Sequence, residues 1–213
     1  MNPIKSLEEI RKHWKIFEDR WKTLYAFFLY TNEDRNIARY VREYFRELDQ
    51  LSGNTCLIFL IDKPPRTWEE EARTREYWKE FTFRTWVWEG FTEVIPYDRS
   101  KAYEIAEFFG IFPNHIPCIV FFRNINEREL LVYPLDNSWS DERLTREFRE
   151  LFSAIREGCE NIGDDNERKE QMWRNLERFI RRRSREQTIV NFITHPLARS
   201  VGDVFRRLLF RLL

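Results

Sequence analysis

The chain has 213 residues with 42% hydrophobic side chains, and its 16% aromatic content is high. That is enough apolar surface for a sizeable core, and it excludes collagen-like, low-complexity and disulfide-scaffold chains. Charge totals 36 basic against 36 acidic residues, but residues 166–213 hold 12 Lys/Arg and five Asp/Glu. That segment carries +7 and the remaining chain −7, so an acidic body precedes a basic tail. Either the tail packs on the body and the fields cancel, or it meets an acidic partner, nucleic acid or an anionic membrane.

Ser6-Leu7-Glu8-Glu9 has the form of a capping box. Leu7, Ile10, Trp14, Phe17 and Trp21 then follow at the spacing of one helical face. Leu24–Tyr30 is a continuous apolar run of buried-strand length. Thr31-Asn32-Glu33-Asp34 can cap the next helix, whose inner face is Ile37, Val41, Tyr44, Phe45 and Leu48 and whose stop is Gly53. A second buried-strand run, Thr55–Ile61, closes at Asp62-Lys63-Pro64-Pro65. Strand, helix and strand at this spacing make a βαβ unit and a parallel pair.

Thr67–Phe81 reads as a charged helix, Phe83–Trp88 as an aromatic strand or flap, and Thr92–Tyr97 as a weaker strand. Lys101–Gly110 is a short helix with Ala102, Ile105, Ala106 and Phe109 inward. Ile116–Phe122 and Glu129–Tyr133 flank a polar turn, which predicts an antiparallel hairpin. Asp141–Gly158 is a helix with Leu144, Phe148, Leu151, Phe152 and Ile155 on one face. Ile162–Asn166 is the clearest boundary, beyond which the chain is helical and basic.

The order βαβ, insertion, helix, Gly-Ile, Ile-Pro, strand, hairpin, helix resembles the thioredoxin-like fold. Ala102–Phe122 carries the most specific likeness, with Gly110-Ile111 after a helix and Ile116-Pro117 opening a strand. The resemblance implies an α/β class, a mixed sheet flanked by helices, and a cis peptide before Pro117. It puts a thioredoxin-like domain at 1–163, with an aromatic-rich insertion at about 63–91, and a basic helical appendage at 164–213. Activity does not follow. The family's Cys-x-x-Cys falls on Asn32-Glu33-Asp34-Arg35, its buried carboxylate on Ala26, and its preceding Trp on Thr31. Without a thiolate there is no attacking group for disulfide exchange.

No other catalytic equipment stands out. Cys56 and Cys118 lie in the two most apolar strands, where burial makes thiols inert, while Cys159 at a helix end is expected near the surface. His13, His115 and His195 lack partners at ligand spacing, so neither a metal nor a cofactor is expected. There is no phosphate-binding glycine loop and no nucleophile elbow. Asp62 ends a parallel strand, where open α/β sheets gather ligands, and serves equally as a helix cap.

The function expected is therefore a non-catalytic interaction module, an adaptor or regulatory subunit that binds another protein. Candidate surface residues are Trp86, Trp88, His115 and Ile116, with the apolar stripe Val204, Phe205, Leu208 and Leu209 of the last helix. Arg181, Arg182, Arg183 and Arg185 are candidate anion ligands, and they also complement a helix C-terminus. A nucleic-acid-associated accessory protein is the alternative reading, an enzyme using carboxylates a third, and homo-oligomerisation stays open. With no targeting segment read at the N-terminus, the expected compartment is the cytoplasm, and membrane attachment is not expected.

Overall fold

A computed structural model describes residues 2–3, 7–20, 23–31, 33–53, 55–60, 99–127 and 129–187. Five strands form one mixed sheet: β1 (Asn2–Pro3), β2 (Leu24–Leu29), β3 (Cys56–Leu60), β4 (Cys118–Phe122) and β5 (Leu130–Pro134). The order is β1-β3-β2-β4-β5. β1, β3 and β2 run parallel, whereas β4 is antiparallel to β2 and β5 to β4. Among the described residues, six α-helices accompany the sheet: α1 (Leu7–Arg20), α2 (Arg35–Glu43), α3 (Phe45–Ser52), α4 (Arg99–Phe108), α5 (Asp141–Arg156) and α6 (Asp165–Gln187). The class is α/β. None of these helices is long and apolar enough to cross a membrane.

The continuous apolar runs become central strands because helices cover both faces, so every residue of β2, β3 and β4 is buried. On one face, Trp14 and Phe17 of α1 and Phe109 after α4 pack with Tyr25, Phe27, Phe59 and Phe122. On the other, Phe148 of α5 meets Phe28 and Tyr40. β5 alternates, burying Leu131 and Tyr133 and leaving its other residues half-buried, as suits an edge strand.

Gly110 ends α4 with φ +68°. Its N–H donates to Glu107 O at 2.9 Å and the N–H of Ile111 donates to Ala106 O at 2.7 Å, the paired bonds of a Schellman stop. That turn sends the chain into a single 3-10 turn, Pro113–His115, and then into β4.

Two expectations need correction. The helix predicted between Asp34 and Gly53 is two helices that meet at Tyr44, whose φ of −109° leaves the helical region. Hydrogen bonds continue across the break, since Tyr44 N–H still reaches Tyr40 O at 2.9 Å and Leu48 N–H reaches Tyr44 O at 3.0 Å. Cys159 is buried, not superficial: α6 folds back over it and presents Asn175 to the end of α5. The described part of the basic segment, residues 165–187, packs on the body, one of the two readings of the tail, through Met172, Trp173, Leu176 and Ile180. Trp86, Trp88 and Asp62, with the insertion around them, lie outside the described residues, as do Val204, Phe205, Leu208 and Leu209.

Candidate functional site

The carboxyl end of β2, the start of α2 and the entry to β4 meet at one end of the sheet. Leu29 pairs with Cys118, so the chain leaving β2 at Tyr30 and Thr31 runs beside the chain arriving through Ile116 and Pro117. The Ile116–Pro117 peptide is cis. The carbonyl of Pro117 accepts from the N–H of Leu135 at 2.9 Å, which ties this entry to the end of β5.

The turn before α2 is closed by its own side chains. The Asp34 carboxylate accepts from the backbone N–H of Thr31 at 2.7 Å and from its hydroxyl at 2.8 Å. Thr31 Oγ1 in turn accepts from the N–H of Glu33 at 3.2 Å. Asp34 points back into the turn and makes no side-chain cap to the helix it precedes. The open N–H groups of α2 are met from the loop after β5, where Asn137 Oδ1 accepts from Asn36 at 3.1 Å and from Ile37 at 3.3 Å. Asn36 Nδ2 returns a bond to the carbonyl of Asn137 at 2.8 Å. A helix N-terminus is a natural anion site because its first N–H groups are unpaired. Here a neutral carboxamide occupies those of Asn36 and Ile37.

Phe112, His115 and Ile116 lie ahead of Pro117 on the open side of this end. Phe112 is 53% exposed, one of two large exposed apolar residues among those described. Its ring meets His115 edge-on at 6.1 Å. Ile116 is half-buried and packs against the core. The Schellman turn at Gly110 and the 3-10 turn hold these residues outward, where strand hydrogen bonds do not reach.

Neither strand cysteine serves this site. Cys118 is wholly buried, and burial pushes its thiol up to about 12. Burial raises the Cys56 thiol further. All three cysteines are unpaired thiols in the interior. Among the described residues, no group of three or more His, Cys, Asp or Glu could hold a metal ion.

The arginine cluster near the end of α6 is divided. Arg183 is half-buried, pairs with Glu150 and stands 3.5 Å from Glu147, and its guanidinium lies 5.5 Å over the Phe179 ring. Arg181 pairs with Glu177 at 2.5 Å one turn back. Arg182 is exposed, and the side chain of Arg185 lies outside the described residues.

The sequence reading missed a buried polar network under this helix. Glu147 of α5, only 3% exposed, accepts from Tyr133 Oη at 2.7 Å and faces Arg183. Burial, with Glu147 second, raises the Tyr133 phenol above its ordinary value. Glu147 falls beside the apolar stripe of Leu144, Phe148 and Leu151, and that placement is the one signal that could have found it.

Comparison of the chain with protein-family models, with curated proteins and with solved structures gives no match.

Proposed function

We propose that this chain is a redox-inactive thioredoxin-like module of the cytoplasm that binds another protein through the Phe112–Ile116 end of its sheet. The parallel unit β2-α2-α3-β3 and the antiparallel hairpin β4–β5, joined in one sheet, support the thioredoxin-like assignment. The observation that carries the functional reading is the closed helix start. Where the resembling family needs sulfur and free N–H groups, this chain has an Asp34–Thr31 turn and an Asn137 cap. The only thiols of the sheet are sealed inside it. What that end offers instead is an exposed aromatic ring beside a histidine and a half-buried isoleucine, a surface suited to a protein side chain.

A chain cut after Gly163 is a poor test, because it strips Met172, Trp173, Leu176 and Ile180 from the core. Phe112→Asp is the better probe, since the ring contributes little to folding where it stands. The intact protein should capture a defined partner from a lysate, and the Phe112→Asp variant should lose it at unchanged thermal stability. Insulin reduction by dithiothreitol should proceed at the uncatalysed rate with either protein. Acceleration that survives purification would overturn the redox-inactive reading, and capture that ignores Phe112→Asp would overturn the choice of surface.

A further inference from the structure

α6 carries a row of arginines that no described residue meets with an acid. Arg174, Arg178 and Arg182 are exposed and follow at four-residue intervals, opposite the side that buries Met172, Trp173, Leu176 and Ile180. Successive members rise about 6 Å along the axis and turn by about 40°, so the three form one gently winding line. Three other cations of this helix meet acids: Arg168 pairs with Asp165, Arg181 with Glu177, and Arg183 with Glu147 and Glu150. Among the described residues, none forms an ion pair with Arg174, Arg178 or Arg182. Arg178 has one long hydrogen bond, at 3.5 Å, to Asn175 Oδ1.

Like charges four residues apart repel and weaken a helix. The helix dipole does not repay that cost, since its pull fades within the last turn and α6 runs on to Gln187. We infer that Arg174, Arg178 and Arg182 are a contact line for the phosphate backbone of a nucleic-acid strand. Guanidinium is the cation that meets phosphate oxygens with two parallel hydrogen bonds, and all three positions are Arg. An isolated anion would engage one of them, whereas a linear polyanion engages all three. Among the described residues the line has no exposed aromatic neighbour, which suits contact with the backbone and not with bases. An anionic bilayer fits less well: an interfacial helix inserts its apolar face, and that face of α6 is already spent in the core. This inference stands apart from the protein-binding surface at Phe112.

The test is fluorescence anisotropy of the full chain with a short fluorescein-labelled oligothymidylate, alongside sedimentation with phosphatidylserine vesicles. Three phosphate contacts to a single strand predict a log–log salt slope of about −2, so affinity should fall roughly 20-fold between about 50 and 200 mM salt. The variant Arg174→Gln/Arg178→Gln/Arg182→Gln should lose most of the affinity and most of that slope, with a melting temperature equal to or slightly above that of the wild type. A control with the same charge change on α5, Arg146→Gln/Arg149→Gln/Arg156→Gln, should bind nearly as the wild type does. Absence of oligonucleotide binding, equal loss in the control, or vesicle binding without oligonucleotide binding each overturns the inference. So does unchanged binding in the α6 variant, or a fall in its melting temperature, which would give the row an intramolecular acidic partner.

Discussion

The Tyr133–Glu147 bond gives the sharpest test of how the chain holds α5, β5 and α6 together. The phenol donates to a carboxylate that is 3% exposed, at 2.7 Å, and Arg183 stands 3.5 Å from the same carboxylate. Tyr133→Phe removes one hydrogen bond to a charged group, worth about 1.5–3 kcal/mol, and leaves Glu147 to Arg183 alone. Glu147→Leu fills the same space with an apolar side chain but leaves the Tyr133 hydroxyl buried without an acceptor, at about 1–3 kcal/mol. Arg183 is still held by Glu150 and by the Phe179 ring, so no buried charge is stranded. Each single change should therefore cost about 2 kcal/mol, or roughly 4–8 °C in melting temperature for a chain of this size. The double change removes donor and acceptor together and should cost about 1–2 kcal/mol, not the sum. Urea denaturation followed by tryptophan fluorescence at pH 7 measures all four corners of the cycle. A double variant that costs the full sum of about 4 kcal/mol would refute the claim that this bond joins the elements.

Asn137→Ala removes the acceptor shared by the N–H groups of Asn36 and Ile37 and should cost about 1 kcal/mol by urea denaturation, toward the lower end of cap losses because water reaches Asn36. Asn137→Asp, which keeps an acceptor and adds a charge favoured at a helix start, should recover most of it. The native protein should give almost no reaction with Ellman's reagent at pH 8, and three thiols should appear after unfolding, because all three cysteines are interior. Burial raises the thiols of Cys56 and Cys118 and the phenols of Tyr25 and Tyr133 in the folded state. Folding then favours their protonated forms, so the stability they hold is complete below the unfolded values of about 8.5 and 10 and declines as pH rises above each. The urea midpoint should stay level from about pH 7 to 8 and fall beyond about pH 9; a midpoint that climbs there would contradict the buried assignments.

The sheet was legible wherever burial is complete. Leu24–Tyr30, Thr55–Ile61 and Ile116–Phe122 are apolar without alternation, and such short runs between turn residues have few homes other than a covered strand. Helical faces such as Leu144, Phe148, Leu151 and Ile155 were legible for the same reason, all being buried where the spacing put them. What was hidden is what depends on residues far apart in the chain. Thr31–Asp34 looked like the cap of α2, yet the cap comes from Asn137, about one hundred residues later. Cys159 looked superficial because its cover, Asn175 and the helix around it, arrives only after the turn at Gly163. The break at Tyr44 carries no glycine or proline to announce it. It goes with packing, since Tyr44 stacks on Tyr40 at 4.7 Å while the Tyr40 hydroxyl lies 2.8 Å from Thr145.

These hidden contacts share one direction: each ties the end of the sheet, or the basic helix, to α5 or its leading loop. Arg39 grips Asp141 with two bonds of 2.9 and 2.7 Å, Asn137 caps α2, Glu147 takes Tyr133 and Arg183, and Asn175 donates to Ile155 O and Glu157 O. On the proposed reading, the loss of redox chemistry is therefore more than two missing sulfurs. A thiolate at the start of α2 would need N–H groups to lower its pKa, and those of Asn36 and Ile37 already donate to Asn137. The adjoining turn is likewise held by Asp34, whose negative charge opposes a second anion close by. Placing cysteine at that turn would restore the atoms without the field that activates them. The Phe112 end is set by bonds of its own, from the N–H of His115 to Phe112 O, of Ile116 to Pro113 O and of Leu135 to Pro117 O. On the proposed reading, a surface held in this way pays its ordering cost in folding, before a partner arrives.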